Sequence, residues 1–253
     1  VITDPYFYAV AIPAVILFGL SKSGLAAALS IPCVPLIALA VSPLDAAAIL
    51  LPIIIAMDAT AVWRFRGSFD RRTLWITIPT GILGIGIGWL LAAYITEAHV
   101  RLIIGLIAVW FALNYWFGGG QSAEAKPHNP IKGRFWSTVS GFTSFLSHSG
   151  GVPFQMYTLP MKFEPMLLVG TGVIFFAVIN AVKLVPYFAL GFLSTQNLMT
   201  SLVLSPLAPL SILAGAWLVS RIPTKPFYQL TYLCVLIVGL KMLWDGGSGL
   251  IGG

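Results

Sequence analysis

The chain has 253 residues, 58% of them hydrophobic and only 9% charged, with a mean hydropathy of +0.93. A soluble domain carries about 25% charged residues, so this is the composition of an integral membrane protein with little room for a soluble domain. The formal net charge of +6 is not gathered on a basic soluble module, which excludes nucleic-acid binding as its meaning.

Hydropathy and turn signals divide the chain into five apolar segments per half. In the first half they cover residues 5–20, 24–41, 43–65, 73–95 and 100–117. The first run has no basic leader and reads as structure rather than as a signal peptide. Residues 118–134 are polar and glycine-rich and read as a linker. The second-half segments are 135–146, 151–161, 165–190, 196–219 and 226–244, followed by a Gly-rich tail at 246–253. The expected organisation is therefore a first transmembrane repeat (1–117), a cytoplasmic linker (118–134), a second repeat (135–245) and the tail.

The halves match in the order of their landmarks, which indicates a duplication. Ser-x-Ser-Gly stands at 21 and again at 147. Pro43 and Pro165 open the third segments, and Asp58 and Asn180 follow each by the same interval. Gly67 and Gly191 close them, Pro79 and Pro206 sit in the next pair, and Gly88-Trp89-Leu90 parallels Gly215-Ala216-Trp217-Leu218.

Segment lengths add topology. At about 1.5 Å per residue, 151–161 reaches only about 16 Å, short of a hydrocarbon core of about 30 Å. Segments 135–146 and 151–161 thus fit a re-entrant hairpin with Ser147–Gly150 at its tip, followed by three full spans. The first half repeats the plan with a longer pair. A pair plus three crossings inverts the second half relative to the first. The expected fold is an all-α integral membrane protein of two inverted repeats, each a re-entrant or broken helix pair followed by three transmembrane helices.

With the 64–72 loop placed in the cytoplasm, ten of the fourteen Lys and Arg residues fall on that side: Arg64, Arg66, Arg71, Arg72, Lys126, Lys132, Arg134, Lys162, Arg221 and Lys225. This positive-inside bias is independent of hydropathy, and it explains the basic charge as a topology signal. It places both termini outside.

In lipid, polar breaks persist where they line a cavity, and paired breaks in corresponding halves point to a substrate site. The candidate contacts are Ser21, Lys22, Ser23 and Gly24 in the first break and Ser147, His148, Ser149 and Gly150 in the second. Gln155 and Asn180 complete the polar lining. Lys22 supplies a point charge, with the plain alternative that it snorkels to the interface. Hydroxyls and the N–H groups opening the next helix suit an anion. His148 binds anion as a cation or couples transport to protons as a titrating group, set against the usual structural role of a buried histidine. Asp58 carries a proton or pairs with Lys22; a pair with Arg64 is the alternative. Lys183 shares a helical face with Asn180, or else reaches the outer interface.

Glycines at 81, 84 and 88 read as close helix packing, because no strand precedes them to make a nucleotide loop. Cys33 and Cys234 read as buried thiols. No His/Asp/Glu cluster has ligand spacing, so no enzyme activity, metal or cofactor is expected.

The stretch Leu50-Leu51-Pro52 through Asp58 and Trp63-Arg64 resembles the first-half pattern of the TauE/SafE, or sulfite exporter, family. Gly170-Thr171-Gly172 through Asn180, Lys183, Pro186-Tyr187 and Gly191 resembles its second-half pattern more closely. The family commonly has a glycine-rich turn where this chain has Ser21-Lys22-Ser23-Gly24, and the second half keeps Gly150-Gly151. The resemblance implies export, or in some members uptake, of sulfite, organosulfonates, other small sulfur-containing anions or related carboxylates. It also favours a functional Lys183.

The function expected is a secondary transporter that exports a small sulfur-containing anion across the inner membrane through a midplane site between the two breaks. An anion channel, a carboxylate uptake carrier and a membrane-embedded enzyme are the alternatives. The partners are the anion and the lipid bilayer, without nucleic acid, and a homo-oligomer is compatible with the sequence. Replacing Lys22 with alanine is expected to abolish transport with the fold intact.

Overall fold

The computed structural model describes residues 1–24, 33–91, 97–120, 124–147, 149–189 and 194–251. Among them the regular elements are all helical. In chain order they are α1 (Pro5–Lys22), α2 (Cys33–Ile37), α3 (Pro43–Phe65), α4 (Arg71–Leu91), α5 (Glu97–Phe117), α6 (Pro130–Ser147), α7 (Gly151–Thr158), a 3-10 turn (Leu159–Met161), α8 (Pro165–Ala189), α9 (Thr195–Leu204), α10 (Leu207–Val219) and α11 (Thr224–Ile251). Six of these, α1, α3, α4, α5, α8 and α11, are long and apolar enough to cross a membrane.

Polar caps start the helices by satisfying N–H groups that have no partner within the helix. Asp4 accepts from Tyr6 N–H at 2.9 Å, Ser42 from Asp45 N–H at 3.1 Å, and Asp70 from Thr73 N–H at 2.7 Å. Ser194 accepts from Asn197 N–H at 3.2 Å. Asn129 caps α6 by accepting from Lys132 N–H at 3.0 Å. That helix therefore begins at Pro130, inside the stretch expected to be linker, because proline at the first helical position loses no hydrogen bond.

A second departure concerns 196–219, expected as one span. It is two helices, α9 and α10, bent by 45° at a short break. Pro206 lacks the N–H that a continuous helix needs, and α10 restarts after it. Of the segment 24–41, Gly24 and the residues from Cys33 onward are described; 25–32 lie outside the described residues.

The chain divides into two compact units. One comprises Val1–Phe69 and Pro165–Ile222. In it α3 packs against α8, α9, α10, α2 and α1, and α1 packs along α10. The α1–α10 seam rests on reciprocal small residues four apart. A Cβ on Gly19 would lie 1.9 Å from Ser211 Oγ, and one on Gly215 would lie 1.7 Å from Ser23 Oγ. Small-xxx-small faces of this kind let helix backbones approach where no hydrophobic effect separates protein from lipid.

The other unit comprises Asp70–Glu164 and Pro223–Gly253. Here α4 packs on α6 and α5 on α11. A Cβ on Gly84 would meet the Thr138 carbonyl oxygen at 2.1 Å, and one on Gly141 would meet that of Gly81 at 1.9 Å. Gly81, Gly84 and Gly88 of α4 are thus packing residues, as their sequence context implies. Across this seam the Thr80 and Ser137 hydroxyls share a hydrogen bond of 2.6 Å. The α5–α11 pair is joined by stacked Tyr115 and Tyr232, ring centroids 3.6 Å apart.

Candidate functional site

In the first unit, α1 stops at the first polar break for local reasons. Ser23 N–H donates to the Gly19 carbonyl at 3.1 Å, and Gly24 N–H donates to the Ser21 carbonyl at 3.0 Å. Gly24 takes φ +89°, the left-handed conformation that ends helices with little strain only for glycine. A side chain there would also run into Val169, 2.1 Å from the would-be Cβ. The break is therefore built into packing against α8.

The same turn fixes its polar groups. Ser23 is fully buried, and its hydroxyl donates to the carbonyls of Gly19 at 3.1 Å and Leu20 at 2.9 Å. In this conformation its proton is committed to the backbone rather than to a ligand. Lys22 reaches inward instead. Its Nζ lies 2.6 Å from Asp58 Oδ1, with the two side chains only 8% and 5% exposed. Arg64, the alternative partner of Asp58, stands 5.7 Å from the centroid of its neighbour Phe65.

Asp58 faces α8 with its other oxygen: Asn180 Nδ2 donates to Asp58 Oδ2 at 2.8 Å. Lys183, one turn further along α8, is 0% exposed and interacts electrostatically with both Lys22 and Asp58. Four residues from three helices thus converge: Lys22 from α1, Asp58 from α3, Asn180 and Lys183 from α8. Burying an ion pair costs several kcal/mol per ion, and the attraction offsets this only with good geometry and supporting hydrogen bonds. Asn180 supplies such a bond.

The second break lies in the other unit. There α6 ends at Ser147, and His148 lies outside the described residues. Ser149 N–H donates to the Thr143 carbonyl at 3.4 Å, and the Ser140 hydroxyl donates to the Gly150 carbonyl at 2.7 Å. Gly150 is needed for that approach, since a Cβ would lie 2.5 Å from the Ser140 carbonyl oxygen. The eight-residue α7 follows, ending in the 3-10 turn and Lys162 at φ 51°. Gln155 on α7 has a buried Oε1 without a hydrogen-bond partner.

Sequence reasoning passed over the small-residue seam that holds Lys22 in place. Its signal was the four-residue spacing of Gly19 and Ser23, repeated by Ser211 and Gly215. It also passed over a polar knot at the start of α3, where Asn197 Nδ2 donates to Asp45 Oδ1 at 3.0 Å. The Ser42 hydroxyl donates to the other oxygen, Asp45 Oδ2, at 2.7 Å. Near the start of α4, His128 Nε2 meets Asp70 Oδ1 at 2.8 Å. Burial pushes Asp70 upward, but hydrogen bonds from Thr73 and His128 bring it below the usual carboxylate range. Cys33 and Cys234 are buried, and among the described residues no group of three His, Cys, Asp or Glu side chains gathers in a way that could hold a metal.

No curated protein and no solved structure matches this chain. The family model described as sulfite exporter TauE/SafE matches residues 11–242. That span takes in both breaks and all four converging residues, and the multi-pass helical architecture suits a family of membrane transporters of sulfite-type anions. The chain belongs to the TauE/SafE sulfite exporter family.

Proposed function

We propose that this protein is a secondary carrier that exports a small sulfur-containing anion, such as sulfite or an organosulfonate, across an inner membrane. The observation that carries the reading is the convergence of Lys22, Asp58, Asn180 and Lys183 in a buried apolar setting. Intramembrane cations are costly and mark substrate paths. Two of them held around one carboxylate give an anion a place to bind without a hydration shell. Ser21 and Gly24 border the same turn. Ser147, His148, Ser149, Gly150 and Gln155 enter the proposal on their sequence parallel with the first break.

The inverted repeat, the cytoplasmic placement of the basic loops and both termini outside belong to this reading and rest on the positive-inside distribution. With the cell interior negative, moving one negative charge outward is favoured by about 2.3 kcal/mol per 100 mV, so export needs no nucleotide.

Counterflow of labelled sulfite in proteoliposomes tests the proposal, with Lys183→Met as the variant. This substitution removes one buried cation and leaves the Lys22–Asp58 pair balanced, so the fold is retained. Trans-stimulated uptake by the wild type and its loss in the variant are expected. Undiminished exchange in the variant would remove the site from the mechanism, and uptake without trans-stimulation would replace the carrier with a channel.

A further inference from the structure

The exposed charges of the first unit divide between its two ends, and helix register shows how. Asn197 and Ser201 meet Asp45 and Ile49 in the same order, so α9 and, past its bend, α10 run the same way as α3. Lys22 meets Asp58 on α3, and the adjacent Ser23 abuts Gly215 on α10; Asp58 and Gly215 therefore lie at about one level. From that level Trp63 to Arg66 lie roughly 8–12 Å further on, and Trp217 to Arg221 roughly 3–9 Å. The packed helices α3 and α10 thus stop at the same end of the unit. That end carries the exposed Arg64, Arg66 and Arg221. The exposed carboxylates stand at the other: Asp45 precedes Arg64 by about 28 Å along α3, and Asp4 precedes Lys22 by about 27 Å along α1. Among the described residues no carboxylate forms an ion pair with any of the three arginines.

Two of these guanidinium groups sit over exposed indole rings. Arg221 lies 4.3 Å from the Trp217 centroid and Arg66 lies 5.8 Å from that of Trp63; the two tryptophans are 55% and 59% exposed. A helix C-terminus carries about half a negative charge, so the ends of α3 and α10 together offset about one of the three positive charges. We propose that this end of the first unit binds an anionic phospholipid, the guanidinium groups taking the headgroup phosphate and the rings of Trp63 and Trp217 lying against the upper acyl chains. Tryptophan favours the depth at which headgroups meet hydrocarbon, and the arginine fork matches a phosphate with two parallel hydrogen bonds. A cation stacked on an exposed ring presents both surfaces to one molecule that is anionic above and apolar below. A soluble anion uses the arginines and leaves the rings without a role, which is why the pairing favours lipid. The proposal does not depend on the Lys22–Asp58 pair or on the substrate carried.

Native mass spectrometry of the full chain, titrated in detergent with phosphatidylglycerol or with phosphatidylcholine of the same acyl chains, reads lipid affinity and oligomeric state together. Wild type is expected to bind phosphatidylglycerol about tenfold tighter than phosphatidylcholine. Arg66→Gln/Arg221→Gln is expected to lose most of that preference. Lys126→Gln/Lys132→Gln removes the same charge from two other exposed positions and is expected to keep it. Trp63→Leu/Trp217→Leu retains every charge and is expected to weaken phosphatidylglycerol about threefold.

Equal affinity of the wild type for the two lipids would overturn the proposal. So would an equal loss in the arginine and lysine variants, which would make the effect one of net charge, or undiminished binding in the tryptophan variant. Displacement of the lipid by glycerol phosphate at matched concentration would assign the arginines to a soluble anion instead. A dimer that excludes lipid and dissociates in the tryptophan variant would assign the face to a second copy of the chain.

Discussion

Asn180 donates its side-chain N–H to Asp58 at 2.8 Å, so the residues that stand fifteen positions after Pro165 and Pro43 meet side chain to side chain. The bond holds the carboxylate from the side opposite Lys22. Replacing Asn180 with leucine leaves Asp58 Oδ2 a buried acceptor without that donor. A loss of about 1–3 kcal/mol is expected. Thermal unfolding in detergent measures it, and a shift too small to resolve would mean that another group takes over the oxygen.

Lys22 calls for a revision of the expectation drawn from sequence. Alanine at this position takes away the cation 2.6 Å from the buried Asp58 carboxylate, and breaking a buried pair costs about 3–5 kcal/mol. Transport and fold should therefore fail together in Lys22→Ala. The double change Lys22→Gln/Asp58→Asn removes both charges and is expected to regain most of the lost stability. Comparing midpoints of the two single variants, the double variant and wild type gives the coupling; additive losses would contradict an ion pair that matters to folding.

Much of this was legible in the sequence because membrane burial makes polar residues conspicuous. Lys22, Asp58 and Lys183 stand out from apolar surroundings, and the repeat landmarks align Asp58 with Asn180. Hydropathy could not show that Ser205–Pro206 splits α9 from α10, since the apolar run Leu202-Val203-Leu204 before the break resumes at Leu207 after it. It could not show that the Ser23 hydroxyl turns back onto its own helix, because that depends on how closely Gly215 lets α10 approach. Nor does composition separate a linker from the capped first turn of α6 at Asn129–Pro130, which is polar for its own structural reason.

The α1–α10 seam makes a prediction about size. A methyl group at position 215 would sit 1.7 Å from Ser23 Oγ, and overpacking of this kind costs about 1–3 kcal/mol. Gly215→Ala should lower the unfolding midpoint, and adding Ser23→Gly should restore much of it by vacating the same space. If the second change lowers stability further, the hydroxyl's bonds to Gly19 and Leu20 outweigh the crowding.

Asp70 carries the acid sensitivity of the segment leading into α4, which precedes the candidate span. Its carboxyl is held below its ordinary value in the folded state. The associated stability is present above the unfolded carboxylate value, about 3.9, and is lost as pH falls through the lower folded value. The share of stability that depends on the Asp70 charge should thus be lost only in acid. Hydrogen exchange at Thr73 N–H, which donates to Asp70 at 2.7 Å, reports this directly after correction for intrinsic exchange. Asp70→Ala removes the cap, costs about 1 kcal/mol, and should flatten the acid limb of the protection profile. A limb of unchanged steepness in that variant would assign the acid sensitivity to another carboxylate.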